Sequence, residues 1–195
     1  MKKKITFHLT AVLLIWMLPI FTQAQKGKSF TVADADRLFA KMYGTHEANT
    51  LIWLPQQQHF FEAIGKASYS LNKNNTLREI FEIKQPDGQV QQYEGMLRFC
   101  EDKAHFEFVQ YDASGNALIL MAGKWDPAFK MIQMEPIKRL WHLNGKKRDK
   151  YQELQLQYFF FDDGSFKKVL RSSEGTGISS IVFEYHCLRR ENRNL

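Results

Sequence analysis

The sequence has none of the short motifs that mark common catalytic and cofactor sites. It contains no Gly-x-Ser-x-Gly elbow, no His-Glu-x-x-His pair, no glycine-rich phosphate loop and no Cys-x-x-Cys pair. It also lacks proline-, serine- or glycine-rich tracts and internal repeats, which favours one domain without a linker. We therefore predict no catalytic residues and no cofactor, and only the predicted fold gives an indication of function.

Histidine and cysteine are sparse and widely spaced. The chain has two cysteines, Cys100 and Cys187, for which two interpretations stay open: a disulfide closing a long loop, or two buried thiols. The histidines after residue 24 show no close ligand spacing, so we predict no metal site. They are His46, His59, His105, His142 and His186.

His186 is the histidine that invites a haem hypothesis, because it lies near the end of the last predicted strand. Strand alternation places it on the polar face with Glu184, away from Tyr185 and Cys187. A surface histidine is therefore the preferred interpretation, and a haem-binding barrel is a less favoured one.

The first 24 residues have the form of a secretory signal peptide. Three lysines at positions 2–4 precede an apolar run at 9–21, and Ala24 stands at a suitable cleavage point. The run is shorter than the about 20 apolar residues of an ordinary membrane-spanning helix. No cysteine follows it to carry a lipid anchor. We expect export to the periplasm or the cell exterior, with no stable membrane anchor after cleavage.

Charge gives no indication of a nucleic-acid partner. The formal net charge is +6, but the signal segment contributes three lysines and no acidic residue. The remaining excess of basic over acidic residues lies in short runs at 146–148 and 189–193, which is typical of solvated turns and chain ends. We therefore predict no nucleic-acid binding.

A helical lead-in is predicted between the signal peptide and the strands, over residues 25–64. Apolar residues recur at helical spacing from 31 to 43, with Thr31 as a cap, Asp34 three residues later and Gly44 as a stop. Residues 56–63 are interpreted as a short second helix. The helix over 32–43 is expected to pack across one opening or edge of the strand region.

From residue 65 to 190 the pattern is that of an antiparallel β-barrel, followed by a polar tail at 191–195. Turn signals recur evenly, and the runs between them alternate apolar with polar residues. About nine or ten strands without intervening helices predict a mainly β fold, a meander closed into a barrel.

The phase of three strands places polar residues on the inner face. Glu79 lies between Leu77 and Phe81 in the alternation of its strand, so it is expected to share their inner face. The alternation of the later strands likewise places Gln110 and Lys168 on the inner face. Buried charges are costly unless paired or hydrated. Two explanations stay open: a partly hydrated cavity, or bulges that return these residues to solvent. The predicted ligand-cavity residues are Tyr69, Glu79, Phe81, Trp125, Tyr158, Lys168 and Tyr185.

Three segments of the chain are similar to the lipocalin-like (calycin) β-barrels, including exported bacterial types. They are residues 60–69, 110–115 and 122–126, and the resemblance spans about residues 60–190. At the position of the Gly-x-Trp signature of lipocalins, the chain has Gly65-Lys66-Ala67, with alanine in place of the tryptophan. The resemblance implies that a small hydrophobic molecule binds inside the barrel, and it implies no catalytic residues.

The leading hypothesis is thus an exported barrel that binds a small, largely apolar ligand. The alternative is a structural or protein-interaction module with a filled core, and an enzyme whose site assembles only in the fold is less favoured. The barrel interior separates the first two, because a ligand site needs a cavity of about 300 Å³ or more.

Overall fold

The computed structural model describes residues 30–72, 75–85, 87–111, 114–137, 153–173 and 179–189. Helix α1 (Val32–Met42) is followed by ten strands. These are β1 (Gly44–Leu54), β2 (His59–Asn72), β3 (Thr76–Lys84), β4 (Val90–Cys100), β5 (His105–Tyr111), β6 (Ala117–Asp126), β7 (Met131–Pro136), β8 (Glu153–Phe160), β9 (Phe166–Ser173) and β10 (Ser179–Arg189). The predicted signal peptide and the tail at 191–195 lie outside the described residues.

Every strand pairs antiparallel with its neighbours along the chain, and β10 pairs with β1 to close the barrel. Closure removes the exposed sheet edges that an open meander would leave. The prediction of a mainly β meander closed into a barrel, preceded by a helix, is confirmed. In the part of the chain that the structure describes, no helix has the length and apolar character to span a bilayer.

Helix α1 begins where the sequence predicts and closes one end of the barrel. Thr31 and Asp34 form the capping box, with each side chain bonded to the backbone of the other residue. Its buried face packs into the barrel core, where the rings of Phe39 and Phe106 lie 6.2 Å apart. Because β1 starts directly after α1, the first residues of β1 lie at this end. We call it the helix end and the opposite one the far end.

The barrel begins earlier than predicted, so the assignment of residues 44–64 to a helical lead-in is wrong. Residues 44–54 form β1, and residues 59–64 begin β2 rather than a second helix. Two of the inward-facing residues of β1, His46 and Thr50, are polar. They interrupt the apolar–polar alternation by which a strand is recognised in a sequence. Their partners are carbonyls: His46 Nε2 lies 2.8 Å from the Met42 oxygen, and Thr50 Oγ1 donates to Ala63.

The two cysteines are free thiols in different environments. Cys187 is buried on the inner face of β10, whereas Cys100 ends β4 with its side chain half-buried on the outer face. The buried-thiol interpretation therefore holds for Cys187, and no disulfide joins the pair.

Candidate functional site

An ion pair between Lys168 and Glu79 occupies the middle of the barrel. Lys168 Nζ donates to Glu79 Oε1, and both residues are only 2% exposed. The Tyr158 hydroxyl donates to the second carboxylate oxygen over 2.9 Å. Each oxygen thus has a donor, which offsets part of the cost of burying the charge. The explanation that bulges return Glu79 and Lys168 to solvent is wrong.

Aromatic rings enclose the ammonium group. Lys168 Nζ lies 4.3 Å from the ring centre of Phe108, 5.3 Å from that of Phe81 and 5.5 Å from that of Tyr158. Ring faces attract cations, so this cage stabilises the charge further. Desolvation lowers the pKa of Lys168, and the charge of Glu79 opposes that change.

Glycine makes room for the carboxylate. Gly95 of β4 lies opposite Glu79 of β3 in the sheet register. A Cβ atom at this position would lie 2.8 Å from Glu79 Oε1 and 2.9 Å from a ring carbon of Phe108. The inward glycine is therefore part of how the barrel accommodates the ion pair.

The structure brings together six of the seven predicted ligand-cavity residues. Tyr69, Phe81 and Tyr185 are buried in the same core as Glu79, Tyr158 and Lys168. Burial is the main cause that raises the pKa of Tyr158, and the negative charge of Glu79 raises it further. The phenol therefore keeps its proton and remains the hydrogen-bond donor.

Trp125 lies apart from the other six at the helix end. Its ring is 5.4 Å from Phe30 and 5.9 Å from Phe160. It also lines a surface concavity of about 620 Å³ along β6 and β7, which none of the ion-pair residues lines. The role of all seven as ligand-cavity residues stays a prediction.

Among the described residues, the inner face at the far end carries five apolar side chains that are only partly buried. We call them the apolar ring, because they come from β1, β4, β6, β8 and β10, around the whole barrel. Each lies in the half of its strand that is remote from α1, and each packs against the buried core. They are Ile52, Tyr93, Ile119, Leu154 and Phe183.

Stacked aromatic rings connect the apolar ring with the ion pair. Phe183 lies nearly parallel to Tyr185, with ring centres 4.5 Å apart and planes inclined by 7°. Tyr185 in turn lies 4.7 Å from Phe81, which contacts the Lys168 ammonium. We call Phe81, Tyr185 and Phe183 the aromatic column. It leads from the buried charge to the far end.

Sequence reasoning missed the apolar ring, although a usable signal was present. In each strand, the member of the apolar ring lies two residues beyond a buried inward position and so points to the same inner face. Phe183, for example, lies two residues from Tyr185, which in turn lies two residues from Cys187. Partial burial at a strand end depends on what covers that end. The sequence pattern does not contain that information.

His186 lies on the outer face, as the alternation predicts. It is half-buried, with Nε2 3.4 Å from Ser165 Oγ and the ring 5.8 Å from that of Phe161. Burial lowers its pKa, and Lys167 adds to that effect. Among the histidines that the structure describes, the inward one is His46, whose Nε2 is already bonded to the Met42 carbonyl.

The fold and its interior define a closed antiparallel β-barrel with a buried ion pair. The chain is similar to the crystal structure of Rv2717c from M. tuberculosis, with 16% identity and a TM-score of 0.57. The match covers 80% of this chain and 98% of that one. No protein-family model and no curated protein matches the sequence. At this identity the likeness shows a shared fold alone.

Proposed function

We propose that the chain is an exported, lipocalin-like barrel that binds a small, largely apolar molecule at its far end. The observation that carries the proposal is the apolar ring. At the helix end, α1 covers the inner side chains, and Phe39 and Met42 are fully buried. At the far end, equivalent apolar positions keep part of their surface accessible. Apolar side chains of this kind line small-molecule sites, which also need a cavity of about 300 Å³ or more.

The ion pair forms the floor of this site rather than its binding group. Glu79, Lys168 and Tyr158 satisfy one another, and tightly packed aromatic rings surround them. A ligand that displaced one of them would leave a buried charge without its partner. Binding therefore occurs above the floor, against the aromatic column.

Tyrosine gives the site a limited polar character. Tyr93 is only half-buried, and Tyr93 and Tyr185 each carry a hydroxyl group that can make one hydrogen bond. Burial raises the pKa of both phenols, so they remain uncharged donors. The ligand that fits best is a mainly apolar molecule with one polar acceptor. The case for export comes from residues 1–24 of the sequence.

Native mass spectrometry of the protein purified from its own host tests the proposal. We expect an adduct of small-molecule mass that is released on unfolding and is lost in Ile52→Asp, because a charge in the apolar ring opposes apolar binding. The matched control is Asn49→Asp, an exposed position on the outer face of the same strand. A wild-type protein that always appears free of adducts would favour the filled-core module instead.

A further inference from the structure

A second group of chemically active side chains lies outside the barrel, on the β4–β5 hairpin. Cys100 is the last residue of β4 and pairs directly with His105, the first residue of β5. A three-residue 3₁₀ turn, Glu101–Lys103, joins the strands, and Ala104 adopts the left-handed conformation that completes it. Glu107 lies two residues beyond His105 and so shares its outer face.

The three side chains converge on one point. Their ligating atoms, Cys100 Sγ, a ring nitrogen of His105 and a carboxylate oxygen of Glu107, all lie within 4.8 Å of one another. His105 Nε2 is 2.9 Å from Glu107 Oε1. The His105 and Glu107 side chains are each 18% exposed, so the group is sheltered but accessible from solvent.

Arg98 holds the carboxylate from the other side. Its Nε donates to Glu107 Oε2 over 2.8 Å, which leaves Oε1 directed towards His105. An arginine in this position orients the carboxylate, as outer-shell partners of metal ligands do.

We propose that Cys100, His105 and Glu107 bind one zinc-class divalent cation, with water in the fourth position. One sulfur, one nitrogen and one oxygen form a ligand set that suits Zn²⁺. The thiol proton leaves to solvent as the Cys100 sulfur coordinates. The thiolate and the carboxylate together balance the charge of the cation.

The spacing fits this cation after a small adjustment. Tetrahedral Zn²⁺ with bonds of about 2.0–2.3 Å separates its ligand atoms by about 3.3–3.8 Å. The three atoms fall within 4.8 Å of one another, so the longer separations have to shorten by up to about 1 Å, and the close His105–Glu107 contact has to open by a few tenths of an ångström. Rotation of the half-buried side chains provides that movement without moving the strands.

Cobalt(II) titration of the full chain under reducing conditions tests the site. Co²⁺ takes the place of Zn²⁺, and a cysteine ligand produces a thiolate-to-cobalt charge-transfer band in the near ultraviolet. We expect one equivalent of Co²⁺ to saturate the band and Zn²⁺ to displace it. Cys100→Ser should abolish the band. His105→Gln and Glu107→Gln should each weaken binding by about tenfold or more, since even outer-shell changes cost about 10–100-fold.

Two control variants complete the test, with folding checked by circular dichroism. Cys187→Ala removes the interior thiol and His186→Gln removes a half-buried outer histidine, and both should leave the band and the affinity unchanged. The proposal is overturned if the wild type gives no band, or if the band survives in Cys100→Ser. It is equally overturned if His105→Gln and Glu107→Gln bind Co²⁺ as the wild type does, or if two chains share one ion.

Discussion

Lys168 and Glu79 form an ion pair across the barrel interior although 89 positions separate them in the chain. Lys168 belongs to β9 and Glu79 to β3, two strands that are not neighbours in the sheet. Tyr158 adds a bond from β8 to the same carboxylate. The pair therefore fixes opposite walls of the barrel relative to each other at the level where the proposed ligand site begins.

Removing one member of the pair should destabilise the protein strongly. Glu79→Gln or Lys168→Met alone should lower the free energy of unfolding by about 3–5 kcal/mol, because the other charge stays buried without its partner. Urea denaturation measures this loss. The control is Arg78→Met, which breaks the half-exposed Arg78–Glu94 pair and should cost about 1 kcal/mol or less.

The double variant Glu79→Gln/Lys168→Met separates pairing from simple packing. It should be less destabilised than the sum of the two single variants, because neither charge is then left alone. Additive losses would mean that the two side chains act independently and that the ion pair does not form in solution.

Gly95→Ala should destabilise the barrel through the same carboxylate. The added methyl group would meet Glu79 Oε1 and the Phe108 ring at under 3.0 Å, and overpacking of this kind costs about 1–3 kcal/mol. In a Glu79→Ala background the same substitution should cost clearly less, since the methyl group then enters vacated space. Equal losses in both backgrounds, measured by denaturant melts, would place the strain elsewhere.

Lowering the pH should test the hydrogen bonds that Glu107 makes with His105 and Arg98 on the outer face. Bonds from His105 and Arg98 lower the pKa of Glu107 from 4.5 to about 2. A carboxyl group with a lowered folded-state pKa stabilises the fold above its unfolded pKa and loses that contribution as pH falls through the folded value. Stability should therefore decline between pH 4.5 and 2. Glu107→Gln should flatten this part of the stability profile, and an unchanged slope would contradict the network.

The sequence was sufficient for the elements whose signal is local. The capping box at Thr31 and Asp34 predicts the start of α1, and alternation along β3 places Glu79 inward unless a bulge returns it to solvent. β1 was missed because His46 and Thr50 interrupt its apolar face, and their carbonyl partners become visible only in the fold. That limit is physical, since a polar residue on an inner face is acceptable only when a partner is present.

Contacts between side chains of strands that are distant in the chain also could not be predicted from the sequence. Phase placed Glu79 and Lys168 inside, but the contact between them depends on the closed topology. The hairpin group is nearer to what the sequence shows, because the charged residues Glu101, Asp102 and Lys103 are typical of a turn. Register across that turn places Cys100 opposite His105, which a survey of histidine spacing alone does not show.

Titration with N-phenylnaphthylamine, a neutral apolar fluorophore, tests the central claim most directly. Phe183 belongs to both the apolar ring and the aromatic column, whereas Phe161 is 38% exposed and its ring contacts His186 on the outer face. If the far end binds apolar molecules, Phe183→Ser should weaken probe binding by about tenfold or more, because burying a phenylalanine side chain is worth about 1.5–3 kcal/mol. Phe161→Ser should leave the affinity unchanged. Equal affinity for the probe in wild type and Phe183→Ser, or a greater loss in Phe161→Ser, would contradict the account.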